Sequence, residues 1–172
     1  MRQTFLISDE HYYHGGIITE CGRPFRDVNQ MNMTMIQNNN DTVNDDDDVW
    51  HIGDLCWGTK YEQLENIMKK LRGRHHLVLG NHDDFKPFTY IKAGFITVHT
   101  AMWLDHSPET FVLAHDPSIY TFCKKELGTF VHGHVHDLYE TIPGKSVVNV
   151  SVEVTGYRPL SLEEVYERAK ST

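Results

Sequence analysis

The sequence predicts an α/β protein of two packed, mixed β-sheets forming a sandwich flanked by α-helices, a four-layer arrangement with residues 1–172 as a single domain. Short apolar runs rich in Val, Ile and Phe recur, and each stops at a cluster of His, Asp, Asn or Gly, the pattern of buried strands that turn out of a sheet into polar loops. Segments with apolar residues at helical spacing lie between the early runs. The later runs follow one another without a full helix between them, which predicts a second, mostly antiparallel sheet. A chain of 172 residues, 40% apolar and 23% charged, buries a core large enough to fold as one soluble domain.

Phe5-Leu6-Ile7 reads as the first strand and ends at Asp9-Glu10-His11. Val28, Met31 and Met35 then make an apolar helical stripe, read as core filler because Met packs adaptably. Asn38-Asn39-Asn40-Asp41 and Asp45-Asp46-Asp47-Asp48 look like one solvated polar connection; four consecutive carboxylates without a Gly pivot do not match a calcium loop. Val49 to Ile52 is a strand ending at Gly53-Asp54. Leu64, Ile67, Met68 and Leu71 give the next segment an amphipathic helical pattern, with Gly73 placed to end it. Leu77-Val78-Leu79 precedes Gly80-Asn81-His82-Asp83, Phe111 to Ala114 precedes His115, and Thr129 to His132 precedes Gly133-His134-Val135-His136. Trp103-Leu104 and Val147 to Val150 complete the strands of the second sheet, and Ser161-Leu162-Glu163-Glu164 carries the capping-box signature of a final helix running toward Ala169.

The net charge of −8 argues against a broad basic face for an extended nucleic acid. No apolar run approaches the roughly 20 residues that cross a bilayer, and the N-terminus has no signal-peptide core, so the expected location is cytoplasmic with no membrane partner. Cys21, Cys56 and Cys123 form no CxxC pair and read as reduced thiols. Twelve histidines against 16 Lys and Arg, however, make an uncommon ratio. Loops leaving the carboxyl ends of strands gather into one crevice in such folds, so five polar clusters converge. They offer Asp9 and Asp54, the amide oxygen of Asn81, and the imidazoles of His11, His115, His134 and His136. Mixed oxygen and nitrogen donors suit divalent transition ions such as Mn, Fe, Zn, Ni or Co better than Ca or Mg. Seven donors exceed one ion's needs unless a carboxylate bridges two. The period of an extended strand end is expected to send Asp9 and His11 to one side, and likewise His134 and His136.

The order Asp9-x-His11, Gly53-Asp54, Gly80-Asn81-His82-Asp83, His115 and Gly133-His134-x-His136 resembles the complete signature of the calcineurin-like metallophosphoesterase superfamily. The first strand, Arg23-Pro24-Phe25, Asn149 to Val152 and Tyr157-Arg158-Pro159-Leu160 also resemble small stand-alone members from bacteria and phages. The resemblance implies that Asp9, His11 and His136 bind a first ion, Asn81, His115 and His134 a second, and that Asp54 bridges them, with Mn the leading expectation. It implies that His82 acts as an acid or phosphate-stabilising residue and that Asp83 hydrogen-bonds and orients the His82 ring. The implied reaction is in-line attack on a phosphoester by a hydroxide bridging the ions.

Gly53-Asp54 is followed by Leu55-Cys56-Trp57-Gly58 and the Asn-His pair by Asp83, unlike the superfamily's protein phosphatases. A short chain without a large cap favours a phosphodiesterase acting on a small nucleotide or a nucleic-acid end. The alternatives are a phosphomonoesterase on a small molecule and a non-catalytic interaction scaffold on the same fold. His14, Arg23 and Arg26 are candidates for substrate contact, and the oligomeric state is open.

Overall fold

The computed structural model describes residues 2–107, 109–122 and 128–171. In the first sheet, strands β1 (Thr4–Ile7), β2 (Asp48–Ile52), β3 (Arg74–Val78) and β4 (Thr97–His99) run parallel, and β9 (Leu160–Ser161) pairs antiparallel with β1. Their order is β4-β3-β2-β1-β9. The second sheet has the order β5-β6-β7-β8, formed by Met102–His106, Glu109–Leu113, Thr129–His132 and Val147–Asn149. Among its described strands β5 and β6 pair antiparallel while β6, β7 and β8 run parallel, which corrects the mostly antiparallel expectation. The absence of long helical patterns was misleading here. The crossover from β6 includes a 3-10 helix (Pro117–Phe122), and the connection from β7 to β8 is irregular.

Both faces of the first sheet are buried. Phe5, Ile7, Val49 and Leu77 point toward α1 (Ile17–Glu20), α2 (Val28–Thr42), α3 (Tyr61–Met68), α4 (Pro87–Ala93) and α5 (Val152–Thr155), whose buried residues include Ile17, Met31, Met35, Leu64, Ile67, Tyr90 and Val152. Leu6, Trp50, Ile52 and Val78 instead meet Phe111, Leu113, Val131 and Val148 of the second sheet, and α6 (Leu162–Lys170) adds Leu162 and Val165 to that inner core. This alternation along each strand sets the sandwich. The outer face of the second sheet, with Val112, Phe130 and Val147, is covered by Tyr120 of the 3-10 helix and Ile142, a thinner fourth layer.

Two polar stretches are more structural than expected. Asn38 to Asp41 continue α2, because Asn38 donates to the Tyr157 carbonyl at 2.9 Å and Asn39 to that of Arg72 at 3.0 Å. Within the acidic run, Asp47 is buried and accepts the backbone N–H groups of Gln3 and Asn44, while Asp48 opens β2 and accepts from His76. The predicted cap of α6 is present: Ser161 Oγ accepts the Glu164 N–H, and Glu164 accepts that of Ser161.

The sheets are joined where the candidate site forms. Ser8 and Ser151 form a parallel bridge just beyond β1 and β8, with Ser8 N donating to Val150 O at 3.0 Å.

Candidate metal centre

The loops after β1 and β2 run side by side, with Asp9 N donating to Gly53 O and His11 N to Asp54 O, each at 3.0 Å. Asp9, His11, Asp54, His134 and His136 all have φ between 49° and 72°. Strand alternation therefore does not aim these side chains, as the sequence suggested. Single left-handed residues do, and such non-glycine positions concentrate at functional sites because surrounding bonds must hold them there.

Glycines let the loops close together. Gly53 has φ +86°, and a Cβ on it would meet the His115 ring and stand 2.8 Å from the Gly80 Cα. A Cβ on Gly80 would meet the Asp54 carboxylate and lie 2.5 Å from the Asp54 backbone nitrogen. At Gly133 a Cβ would overlap Ser8 Oγ and the Asp9 carboxylate. These glycines leave the space that brings the donors into contact.

Two groups of donors result, Asp9 with His11 and His136, and Asp54 with His115 and His134; within each group the ligand atoms lie within 4.8 Å of one another. Asp54 Oδ2 stands between the groups, 3.6 Å from His11 Nε2 and 3.2 Å from His115 Nε2. Asn81 Oδ1 lies 3.1 Å from His115 Nε2 and 2.9 Å from His134 Nδ1. His115 Nδ1 is 2.8 Å from the Ile52 carbonyl, an acceptor that fixes the N–H there and turns Nε2 inward. Asp9 is buried and accepts the His134 N–H and the Ser151 hydroxyl.

Burial pushes the Asp9 carboxyl up, with the His115 and His136 charges opposing it. At Asp54 burial also opposes ionisation, but the His115 hydrogen bond and charge override it and hold the group down at about 2. Burial of His115 is likewise overridden by Asp54 and Asp9, raising it to about 9. His11 is pushed down to about 3 by burial, so its ring is neutral at pH 7, the form that ligates metals. Among the described residues, neither buried ring nitrogen of His11 has a hydrogen-bond partner. A buried imidazole orphaned beside two carboxylates is suited to ligating a cation.

No family model matches the chain. Over 171 residues it is 37% identical to the uncharacterized protein MJ1445 of Methanocaldococcus jannaschii, covering 95% of this chain and 89% of that one. The crystal structure of AQ665 from Aquifex aeolicus, a protein of unknown function, superimposes with TM-score 0.75 at 26% identity over 97% of this chain and 99% of its own. An archaeal phosphodiesterase shares the fold with TM-score 0.56 at 16% identity, over 93% of this chain and 99% of that chain. The chain belongs to the family of the Methanocaldococcus protein and has the metallophosphoesterase fold.

The fold brings His82 and His14 to the same crevice. The His82 backbone N–H donates to Asp54 Oδ1 at 2.9 Å, and its partly exposed ring has Nε2 3.9 Å from Asp54 Oδ2. His14 stacks on Trp57 at 4.7 Å between ring centroids, and Trp57 meets the His82 ring edge-on at 4.0 Å. Trp57 thus forms a rim over both histidines that the sequence did not single out.

Two expected roles, those of Asp83 and Arg23, are corrected. Asp83 turns under the site, where its carboxylate accepts the backbone N–H groups of Gly80, Asp54 and Leu55 at 2.8, 2.9 and 3.2 Å; it clamps two loops and does not orient the His82 ring. Arg23 is buried and spends its donors on the Asp9 and Glu10 carbonyls and on Glu153, so it is not a phosphate contact. The Arg26 guanidinium is 81% exposed and paired with Asp27 beside the start of α2. His132 is buried with its ring against Phe130 and Tyr139.

Sequence reasoning also missed Glu153, whose Oε1 lies 3.0 Å from His136 Nδ1, and Ser151. It missed a buried chain in which Glu10 contacts His51 and His51 Nε2 lies 3.0 Å from His75 Nδ1. Only their tertiary partners mark these residues. Among the described residues Cys21 and Cys56 are free thiols, and Cys123 lies outside those residues. No described helix is long and apolar enough to cross a membrane.

Proposed function

We propose that the protein is a dinuclear-metal phosphoester hydrolase, acting on phosphodiesters of a small nucleotide or a nucleic-acid end. The observation that carries this reading is the pair of oxygen and nitrogen donor groups meeting at Asp54, with the orphaned neutral His11 between two carboxylates. Asp9, His11 and His136 would hold one ion and Asn81, His115 and His134 the other, with Asp54 shared. Manganese is the first expectation because the donors are hard and borderline, with no thiolate in either group. When bound, two such ions supply Lewis-acid charge to the phosphoryl oxygens and lower the pKa of water toward neutrality.

The chain's own groups do the rest. The only anionic donors in the set are Asp9 and Asp54, so Asn81 and four neutral imidazoles leave a doubly occupied crevice with net positive charge, locally reversing the acidic surface. His82 stands at the open side, where its ring can steady charge on phosphorus or pass a proton to the leaving oxygen. Its backbone N–H holds Asp54 while the ring stays available. His14 and Trp57 line the approach, and the exposed Asn81 and His134 leave room for a substituent on each side of a phosphate. That openness favours a diester over a monoester, which would need an enclosing cap to be selected. Kinetics with bis(p-nitrophenyl) phosphate and p-nitrophenyl phosphate under Mn, Fe, Zn, Ni and Co test the proposal. A higher kcat/KM for the diester supports it, and turnover of neither ester with any metal overturns it.

A further inference from the structure

We propose that Arg23 and Glu153 form a positioning pair that builds the first ion site alone, an inference that rests on the dinuclear reading above. The Arg23 side chain is fully buried, and Glu153 is nearly so. From this one guanidinium Nη2 donates to the Asp9 carbonyl at 2.7 Å, Nη1 to the Glu10 carbonyl at 2.9 Å, and Nε and Nη2 to Glu153 Oε1 at 2.9 and 2.7 Å. The same Glu153 oxygen lies 3.0 Å from His136 Nδ1. Arg23 is therefore one bond away from the backbone at Asp9, from the peptide that leads into His11, and from the carboxylate that faces His136. All three members of the first donor group hang on it.

Planar, five-donor Arg suits this task, since a Lys ammonium cannot reach two carbonyls and a carboxylate in one fixed fork. Asp9 and His11 have left-handed backbones, and carbonyl bonds from a rigid partner are what such a turn needs to persist. Glu153 Oε1 accepts from Arg23, so His136 meets it as a donor: Nδ1 carries the hydrogen and Nε2 keeps its lone pair for an ion. Carboxylates behind ligating histidines commonly fix the tautomer in this way. In the second donor group His115 and Asp54 have separate anchors, the Ile52 carbonyl and the Asp83 clamp, and His134 is tied through its N–H to the Asp9 carboxylate, not to the carbonyl that Arg23 holds. Loss of the pair should thus spare the second site.

Two measurements decide this. In ¹⁵N-labelled, metal-free wild-type protein, long-range ¹⁵N–¹H spectra report the His136 tautomer, assigned by the signal lost in His136→Gln; Nδ1–H is expected, and Nε2–H overturns the proposal. Mn²⁺ titration followed by electron paramagnetic resonance then compares wild type with Arg23→Lys and Glu153→Gln. One of two sites should weaken about 10- to 100-fold while the other is unchanged. Two unchanged sites, or two sites weakened alike, overturn the pairing. A wild-type protein that binds no Mn²⁺ overturns the dinuclear reading itself, a result distinct from those. If Glu153→Gln does not fold, Arg23→Lys and the wild-type tautomer still separate these outcomes.

Discussion

Gly80→Ala tests the close approach of the loops after β2 and β3. The added Cβ would overlap the Asp54 carboxylate and stand 2.5 Å from the Asp54 backbone nitrogen. A rotamer change can move the carboxylate but not the nitrogen, so the loops must part by about 1 Å to reach ordinary contact. Overpacking of this kind costs about 1–3 kcal/mol. Parting the loops also breaks one of the two bonds by which Asp83 Oδ2 accepts the Gly80 and Asp54 N–H groups, and a hydrogen bond to a charged group is worth about 1.5–3 kcal/mol. The two effects together predict a loss of about 2.5–6 kcal/mol. With a urea slope of about 2 kcal/mol per molar, the midpoint should fall by roughly 1.2–3 M. Urea unfolding in EDTA measures this without any contribution from bound ions. A variant within about 0.5 kcal/mol of wild type would refute the steric reasoning, since that is the range of neutral surface changes.

Other expectations follow from the same structure. Burial pushes His51 and His75 down to about 3, against 6.5 when unshifted. The unfolded chain thus takes up protons that the fold refuses: their stabilisation is complete above about pH 6.5 and is lost as pH falls toward 3. Relative to wild type, His75→Gln should lose less of its metal-free urea midpoint, or gain more, between about pH 7.5 and 5; an identical pH slope would count against the burial argument. Ser161→Ala removes the acceptor for the Glu164 N–H and should cost about 1 kcal/mol, read as a fall of roughly 2–4 °C in Tm. His82→Ala keeps the backbone N–H that holds Asp54, so metal content should persist while kcat falls about 10²- to 10⁴-fold; full turnover would remove His82 from the mechanism.

The donor residues were legible because each follows an apolar run that can only be a strand, and strand ends in this fold class meet. Trp50 and Ile52 facing one core while Val49 faces the other is likewise the plain outcome of alternation. Backbone conformation was not legible: left-handed Asp9, His11 and Asp54 follow from tertiary bonds to neighbouring loops, which no local pattern announces. The same holds for partners distant in sequence. Arg23 beside a histidine-rich loop reads as a phosphate ligand until Glu153, from the other end of the chain, is seen to occupy it. Asp83 follows His82 directly, yet its carboxylate satisfies three N–H groups beneath the loop instead of the neighbouring ring. Strands as short as β4 and β9 lack the length for periodicity to mark them.

That two ions held by these loops make a phosphoesterase is tested most directly by one titration. Protein stripped with EDTA is titrated with Mn²⁺ while bound metal and bis(p-nitrophenyl) phosphate hydrolysis are followed in the same samples. Hydrolysis should be absent without metal and should reach its plateau as occupancy reaches two ions per chain. Two tightly bound ions with no hydrolysis of the diester, or full hydrolysis in EDTA, would contradict it.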